Sequence, residues 1–254
     1  MTPAEVAAVV AAGFGAGIAT ASIGVASLVS FPVLVAIGVP PVTANASNTV
    51  GLVPAGLSGS FGYRRELGLH PRVTATVLAV SGVFAVVGAL LLLRLPSSVF
   101  EAAVPWLILF ACLLVATQPA ISRLVRARRG PDHVVGAPRV GPGVAAGTAA
   151  CGVYGGYFGA GQGVMMIAVL AFGLEVPMAV ISALRTAAIL ASNVVATVVF
   201  VAVAPLDWTL VLLLGAGSVG GGYVGSVIGR HLPDTALRVL VVASGVTVAV
   251  VMML

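Results

Sequence analysis

Apolar residues run along nearly the whole chain, and polar positions gather in short stretches between the runs. Cutting at those stretches and at Pro/Gly breaks gives ten helical segments: residues 5–22, 25–39, 43–62, 73–93, 105–121, 143–158, 162–174, 178–204, 208–229 and 236–254. A helix that crosses a bilayer perpendicularly needs about 20 residues. The third, fourth, eighth and ninth segments approach that length. The first, second, sixth and seventh are short, and they fall in two adjacent pairs.

The polar stretches carry the orientation, because basic residues near segment ends favour the cytoplasm. "RLVRARRGPDHVVGAPR" holds Arg123, Arg126, Arg128, Arg129 and Arg139, so this loop is expected inside. Counting segments outward from it puts Arg64, Arg65 and Arg72 inside, with Arg230 and Arg238. The opposite loops carry Arg94 against Glu101 and Asp207, and both chain ends then fall outside.

Five segments precede the basic loop and five follow it, each half reading short, short, long, long, long. A repeat unit with an odd number of spans must invert in the membrane. A shift of 137 residues superposes Gly24 on Gly161, Pro40 on Pro177, Ala46 on Ala183 and Thr49 on Thr186. The expected fold is therefore all-α, a polytopic membrane protein of two inverted-topology halves of about five segments each. A short broken or re-entrant helical hairpin opens each half. The expected organisation is one membrane domain over residues 1–254, with halves at about 1–122 and 140–254 joined by the cytoplasmic loop 123–139.

Composition agrees: 60% of the 254 residues are hydrophobic, 7% are charged and the mean hydropathy is +1.18, whereas a soluble domain carries roughly 25% charged residues. No room is left for a separate soluble domain. The formal charge of +5 comes from arginine alone and sits in loops, where it speaks to topology and not to nucleic acid. The opening "MTPAEVAAVV" has no basic residue before its apolar run, so the first segment is expected to be retained and not cleaved. Cys112 and Cys151 lie in apolar runs and read as small packing residues.

The stretch "GVASLVSFPVLVAIGVPPVTANASN", residues 24–48, breaks the apolar pattern with Pro32, Pro40 and Pro41 and ends on Asn45, Ser47 and Asn48. In lipid, irregular backbone is tolerated only where protein or a water-filled cavity satisfies its polar groups. Short or interrupted segments at matching positions of two halves therefore mark a transporter's binding site. Glycines at 13, 15, 17 and 24 in one half, and at 155, 156, 159, 161 and 163 in the other, permit sharp turns. Several stand four apart, the spacing that also lets membrane helices touch, so turn and packing roles both stay open; for Gly217, Gly221 and Gly225 packing is preferred.

Helix N-termini meeting in the membrane favour an anion. The polar side chains nearby fit that use: Asn45, Ser47, Asn48 and Thr49 open the third segment, and Ser182, Arg185, Thr186 and Asn193 lie along the eighth. Arg185 is the sharpest single residue, at about two turns from the cytoplasmic end of its segment, where snorkelling is the alternative. All seven carboxylates lie at or beyond segment ends, which argues against a cation carrier or proton pump. His70, His133 and His231 sit in loops, and no metal-ligand spacing or P-loop appears, so no enzyme, cofactor or ATP-driven pump is expected.

The run "GVASLVSFPVLVAIGVPPVTANASNTVGLVP" with the following "GYRREL", and the later "GGYFGAGQGVMMIAVLAFGL" followed by "ISALRTAAILASNVVATVVF", resemble the two repeated halves of the sulfite exporter TauE/SafE family, the four-toluene sulfonate uptake permeases. The resemblance implies a plasma-membrane permease for small sulfur-containing or organic anions such as sulfite or sulfoacetate. It places Val25, Ala26 and Ser27 where members commonly carry a glycine triplet, keeps Gly159, Gly161 and Gly163, and puts Arg185 where members carry a basic residue. The expected substrate-binding set is Ser27, Asn45, Asn48, Thr49, Gly161, Gln162, Gly163, Arg185, Thr186 and Asn193. The expected function is alternating-access transport of a small anion across the cell membrane, with the lipid bilayer as its other partner and a homo-oligomer possible in principle. A passive channel for anions or small solutes is the alternative, and a membrane subunit docking a partner through loop 123–139 is a third reading.

Overall fold

The computed structural model describes residues 1–22, 24–128, 138–228 and 234–253. The described residues form eleven helices and no strand: α1 (Pro3–Ser22), α2 (Ser27–Ala36), α3 (Pro41–Gly62), α4 (Arg64–Leu69), α5 (Pro71–Arg94), α6 (Ser97–Arg128), α7 (Pro142–Tyr157), α8 (Gln162–Gly173), α9 (Met178–Val203), α10 (Trp208–Ile228) and α11 (Asp234–Met253). Residues 129–137, the centre of the expected basic loop, and residues 229–233, with Arg230 and His231, lie outside the described residues.

Local chemistry sets the helix starts. Thr2 and Glu5 cap α1 reciprocally, Thr2 N–H donating to Glu5 Oε2 at 2.9 Å and Glu5 N–H to Thr2 Oγ1 at 3.3 Å. Pro41, Pro71 and Pro142 open α3, α5 and α7, where the missing N–H costs nothing. Asp207 Oδ1 accepts from the N–H groups of Thr209 and Leu210 and so caps α10.

Three expectations change. The first segment is not short: α1 has 20 residues, because Pro3 and the cap extend it. The stretch 97–104 is helix and not loop, and the helix also runs on through residues 123–128 of the expected basic loop; Pro105 lies inside this 32-residue α6, since neighbouring groups in a membrane bundle can accommodate an interior proline. The stretch after α3, read as loop, also winds into the six-residue α4.

Among the described residues, four stretches are long and apolar enough to cross a membrane: Pro3–Thr20, Pro71–Arg94, Ser97–Leu124 and Met178–Val203. Large apolar side chains point outward along the bundle, among them Val83, Leu91, Trp106, Leu113, Val198 and Leu212. Water would not tolerate such a surface and lipid does, so this is an all-helical membrane protein.

Glycine lets the main pairs touch backbone to backbone. On α1 against α10, a Cβ at Gly13 would stand 2.6 Å from Leu214 O, and one at Gly221 would strike Phe14 O. On α5 against α7, a Cβ at Gly152 would stand 2.5 Å from Ser81 O, and one at Gly156 would strike Ala85 O. These glycines pack helices, which settles their role away from the turns.

The two halves pack by one scheme. With α1, α2, α3, α5 and α6 matched in order to α7 through α11, the pairs α1·α10, α3·α10, α2·α3 and α2·α11 correspond to α7·α5, α9·α5, α8·α9 and α8·α6, all of which pack. Helix starts at Pro41, Pro71 and Ser97 stand 137 residues before those at Met178, Trp208 and Asp234. Ser81 Oγ donates to Ala188 O at 3.0 Å, and Ser218 Oγ donates to Gly51 O at 3.2 Å; both donor and acceptor differ by that same interval.

Candidate functional site

After α1 the chain reverses through Gly24, whose φ of +73° is left-handed and suits glycine. The second hairpin reverses through Gly159 and Gly161, both at φ +77°. The two hairpins meet beside α9. A Cβ at Gly163 would lie 2.8 Å from Gly24 O and 3.6 Å from Arg185 Cδ, while one at Gly24 would lie 3.1 Å from Arg185 Cζ. The guanidinium thus occupies the space that a side chain at position 24 would need.

Around this junction lies a cavity of about 40 Å³, lined by polar Thr20, Ser27, Arg185, Thr186 and Asn193 and by Val25, Leu52 and Ile189 among others. About 10–15 Å³ holds one water, so the space suits a few water molecules or one small anion. Arg185 is 6% exposed, the only charged side chain among the buried described residues, and its Nε has no hydrogen-bond partner. A buried unpaired charge is costly, and an anion would relieve that cost. The N-terminus of α2 adds to the positive field, for Ala26 supplies no side-chain cap and Ser27 opens the helix on the cavity wall. Thr20 and Thr186 donate their hydroxyl hydrogens to Ala16 O and Ser182 O of their own helices.

Four of the ten expected residues, Ser27, Arg185, Thr186 and Asn193, line this cavity, and Gly163 packs against its wall. The other five stand elsewhere. Asn45 Nδ2 donates to Tyr157 O at 3.0 Å, and Thr49 Oγ1 donates to Asn45 O at 2.9 Å. Asn48 Oδ1 accepts from Ser30 Oγ at 2.5 Å. Gly161 packs on Ala111, and Gln162 Nε2 donates to Cys151 O at 3.0 Å and Ser192 Oγ at 3.2 Å. Ser192 in turn meets Ser81 Oγ at 2.7 Å, so Gln162 ties the second hairpin to α5, α7 and α9. Asn45 Oδ1, Asn48 Nδ2 and Gln162 Oε1 are buried without partners.

Asn45 and Arg185 lie toward opposite ends of the α3–α9 pair. A Cβ at Gly59 would touch Thr186 Cγ2 and one at Gly56 would touch Leu190, so the helices run antiparallel. Asn45 precedes Gly59 by fourteen residues, or ~21 Å at about 1.5 Å per residue.

The end near Asn45 is filled by rings. Phe31 and Phe158 meet edge to face with centroids 5.2 Å apart, Phe100 meets Tyr157 at 5.5 Å and Phe158 at 6.2 Å, and Tyr154 meets Phe158 at 6.4 Å. Thr20, the rings and the serine pair escaped the sequence reading. Threonine and phenylalanine in apolar runs look like ordinary core, though the 137-residue interval between Ser81 and Ser218 was there to be found.

The family described as Sulfite exporter TauE/SafE matches residues 9–252. A "Probable membrane transporter protein" of Haemophilus influenzae is 25% identical over 232 residues, covering 91% of this chain and 87% of its own. A "Probable membrane transporter protein ORF9" of Sinorhizobium sp is 26% identical over 243 residues, covering 94% and 88%. No solved structure matches the chain.

Proposed function

We propose that this chain, which belongs to the sulfite exporter TauE/SafE family, is a secondary transporter that moves a small anion by alternating access. It is a membrane transporter, as family and relatives agree. The substrate is a sulfur oxyanion or small organosulfonate, bound by Arg185 with Ser27 and Asn193 at the N-terminus of α2. A buried guanidinium whose Nε lacks a partner, set in a small cavity, carries this reading. Of the wider substrate set, Asn45, Asn48 and Thr49 serve the path toward the other end, and Gly161 and Gln162 serve it at the turn of the second hairpin.

The two halves, 1–122 and 140–254, form one membrane domain as an inverted repeat; the matched helix pairs and the Ser81 and Ser218 bonds support this. Alternating access then exchanges the conformations of the halves. The end bearing Arg64, Arg65, Arg72 and Arg139 faces the cytoplasm of the cell membrane, following the arginine bias.

Proteoliposomes given labelled sulfite, sulfoacetate or thiosulfate outside, with or without the unlabelled anion inside, test the reading. Uptake should saturate and show counterflow, which a passive channel would not. Arg185→Ala should lower uptake at sub-saturating substrate by about 10- to 100-fold, since a hydrogen bond to a charged group is worth ~1.5–3 kcal/mol. Undiminished uptake in that variant would remove the assigned site.

A further inference from the structure

We infer that Phe31, Phe100, Tyr157 and Phe158 are the gate that closes the pathway at the end opposite Arg185. This rests on the transport reading above and adds to it the residues that shut one side.

The rings come from four places: α2, the first turn of α6, the end of α7 and the α7–α8 turn. Phe31 and Phe100 are each 1% exposed and Phe158 is 2% exposed, so together they seal the space between these elements. They touch edge to face, without a hydrogen bond between rings, and such contacts part and re-form without leaving an unsatisfied donor.

The matched positions explain why one end is shut and the other holds a cavity. Under the 137-residue correspondence Tyr157 answers to Thr20, and Phe31 to Ala168. Thr20 lines the cavity, whereas the Tyr157 ring packs on Phe100. One scheme of helix packing is thus filled with rings at one end and with small side chains at the other.

What stands behind the rings is polar. Asn45 bonds the Tyr157 carbonyl, and Asn48 bonds Ser30, the neighbour of Phe31. Each keeps one buried amide atom without a partner. A purely structural aromatic core has no reason to enclose unsatisfied amides, whereas a gate does, because its opening lets water or solute reach them. Asn48 is also the position matched to Arg185.

The test uses full-length protein with Cys112→Ala and Cys151→Ala and one reporter cysteine, Asn48→Cys or Thr20→Cys. A membrane-impermeant thiosulfonate is added from each face in turn, and Pro205→Cys, in the exposed turn between α9 and α10, marks the gated face. With the rings intact, the reporter at 48 should react slowly from the gated face. Phe31→Ala with Phe158→Ala should speed that reaction at least tenfold from that face alone, leaving the rate at position 20 unchanged. An unchanged rate at 48, or an equal rise from both faces, overturns the proposal. A second arm covers loss of folding in that variant: Phe31→Cys with Phe158→Cys, bridged by a short bis-methanethiosulfonate that forms a disulfide with each thiol and releases two sulfinates, should arrest uptake, and reduction of the bridge should restore it. Unaltered uptake by the bridged protein overturns the gate. Loss of the transport reading shows separately, as failure of every anion to be taken up by unmodified protein, and the labelling rates still decide the gate.

Discussion

Gly24 and Arg185 share one volume, and neither can change alone. The positive φ at Gly24 strains any side chain, and its Cβ would press on the guanidinium at 3.1 Å. Gly38 has a φ of +87° with nothing within 4 Å, so it carries the strain without the contact. Alanine at either site should cost about 1–2 kcal/mol of stability from backbone conformation alone, read by thermal unfolding in detergent. Gly24→Ala should in addition raise the substrate concentration for half-maximal uptake by tenfold or more, while Gly38→Ala leaves it unchanged. Equal transport in the two variants would show that the guanidinium does not need its present place. Arg185 was legible because a lone charge inside an apolar run has no ordinary explanation. Thr20 was not, since its hydroxyl bonds its own helix as any membrane threonine does.

At the scale of the element, proline and glycine did most of the writing. Nine of the ten segments match a helix to within three residues at each end, because Pro or Gly punctuates nearly every turn. The same rule failed at Pro105, which a membrane helix can absorb, and overlooked α4, whose short sequence "RRELGL" looks like loop. Glycine roles could not be separated by spacing, since turn and contact use the same interval. The structure separates them along α7: Gly156 abuts Ala85, where a Cβ would stand 2.8 Å from the carbonyl carbon, and Gly143 has open space. Gly156→Ala should therefore destabilise by ~1–3 kcal/mol through overpacking. Gly143→Ala should stabilise slightly, by up to ~1 kcal/mol, through helix propensity. Thermal shifts of the two variants check the sign of each.

For the whole molecule, half-to-half correspondence was visible as an expectation in segment count, arginine placement and four superposed residues, while the short first segment of its length pattern is instead the 20-residue α1. The details that give it force were not, because they are contacts: a serine matters only once its acceptor across the bundle is known. Ser218→Ala should cost about 0.6 kcal/mol, the usual worth of an interhelical hydrogen bond in a membrane protein. Ser81→Ala should cost more, since it also removes the Ser81 hydroxyl that meets Ser192 Oγ. Equilibrium unfolding of both variants and of the double variant checks the order and their additivity.

At Gly163 and the carbonyl of Gly24 the hairpins abut with no side chain as cushion. A shove on one tip is handed to the other without slack, as across the bare pivot of a seesaw. In the transport we propose, solute held by Arg185 would sit beside that fulcrum, so a small shift of the tips there would become a large one at the ends of the bundle.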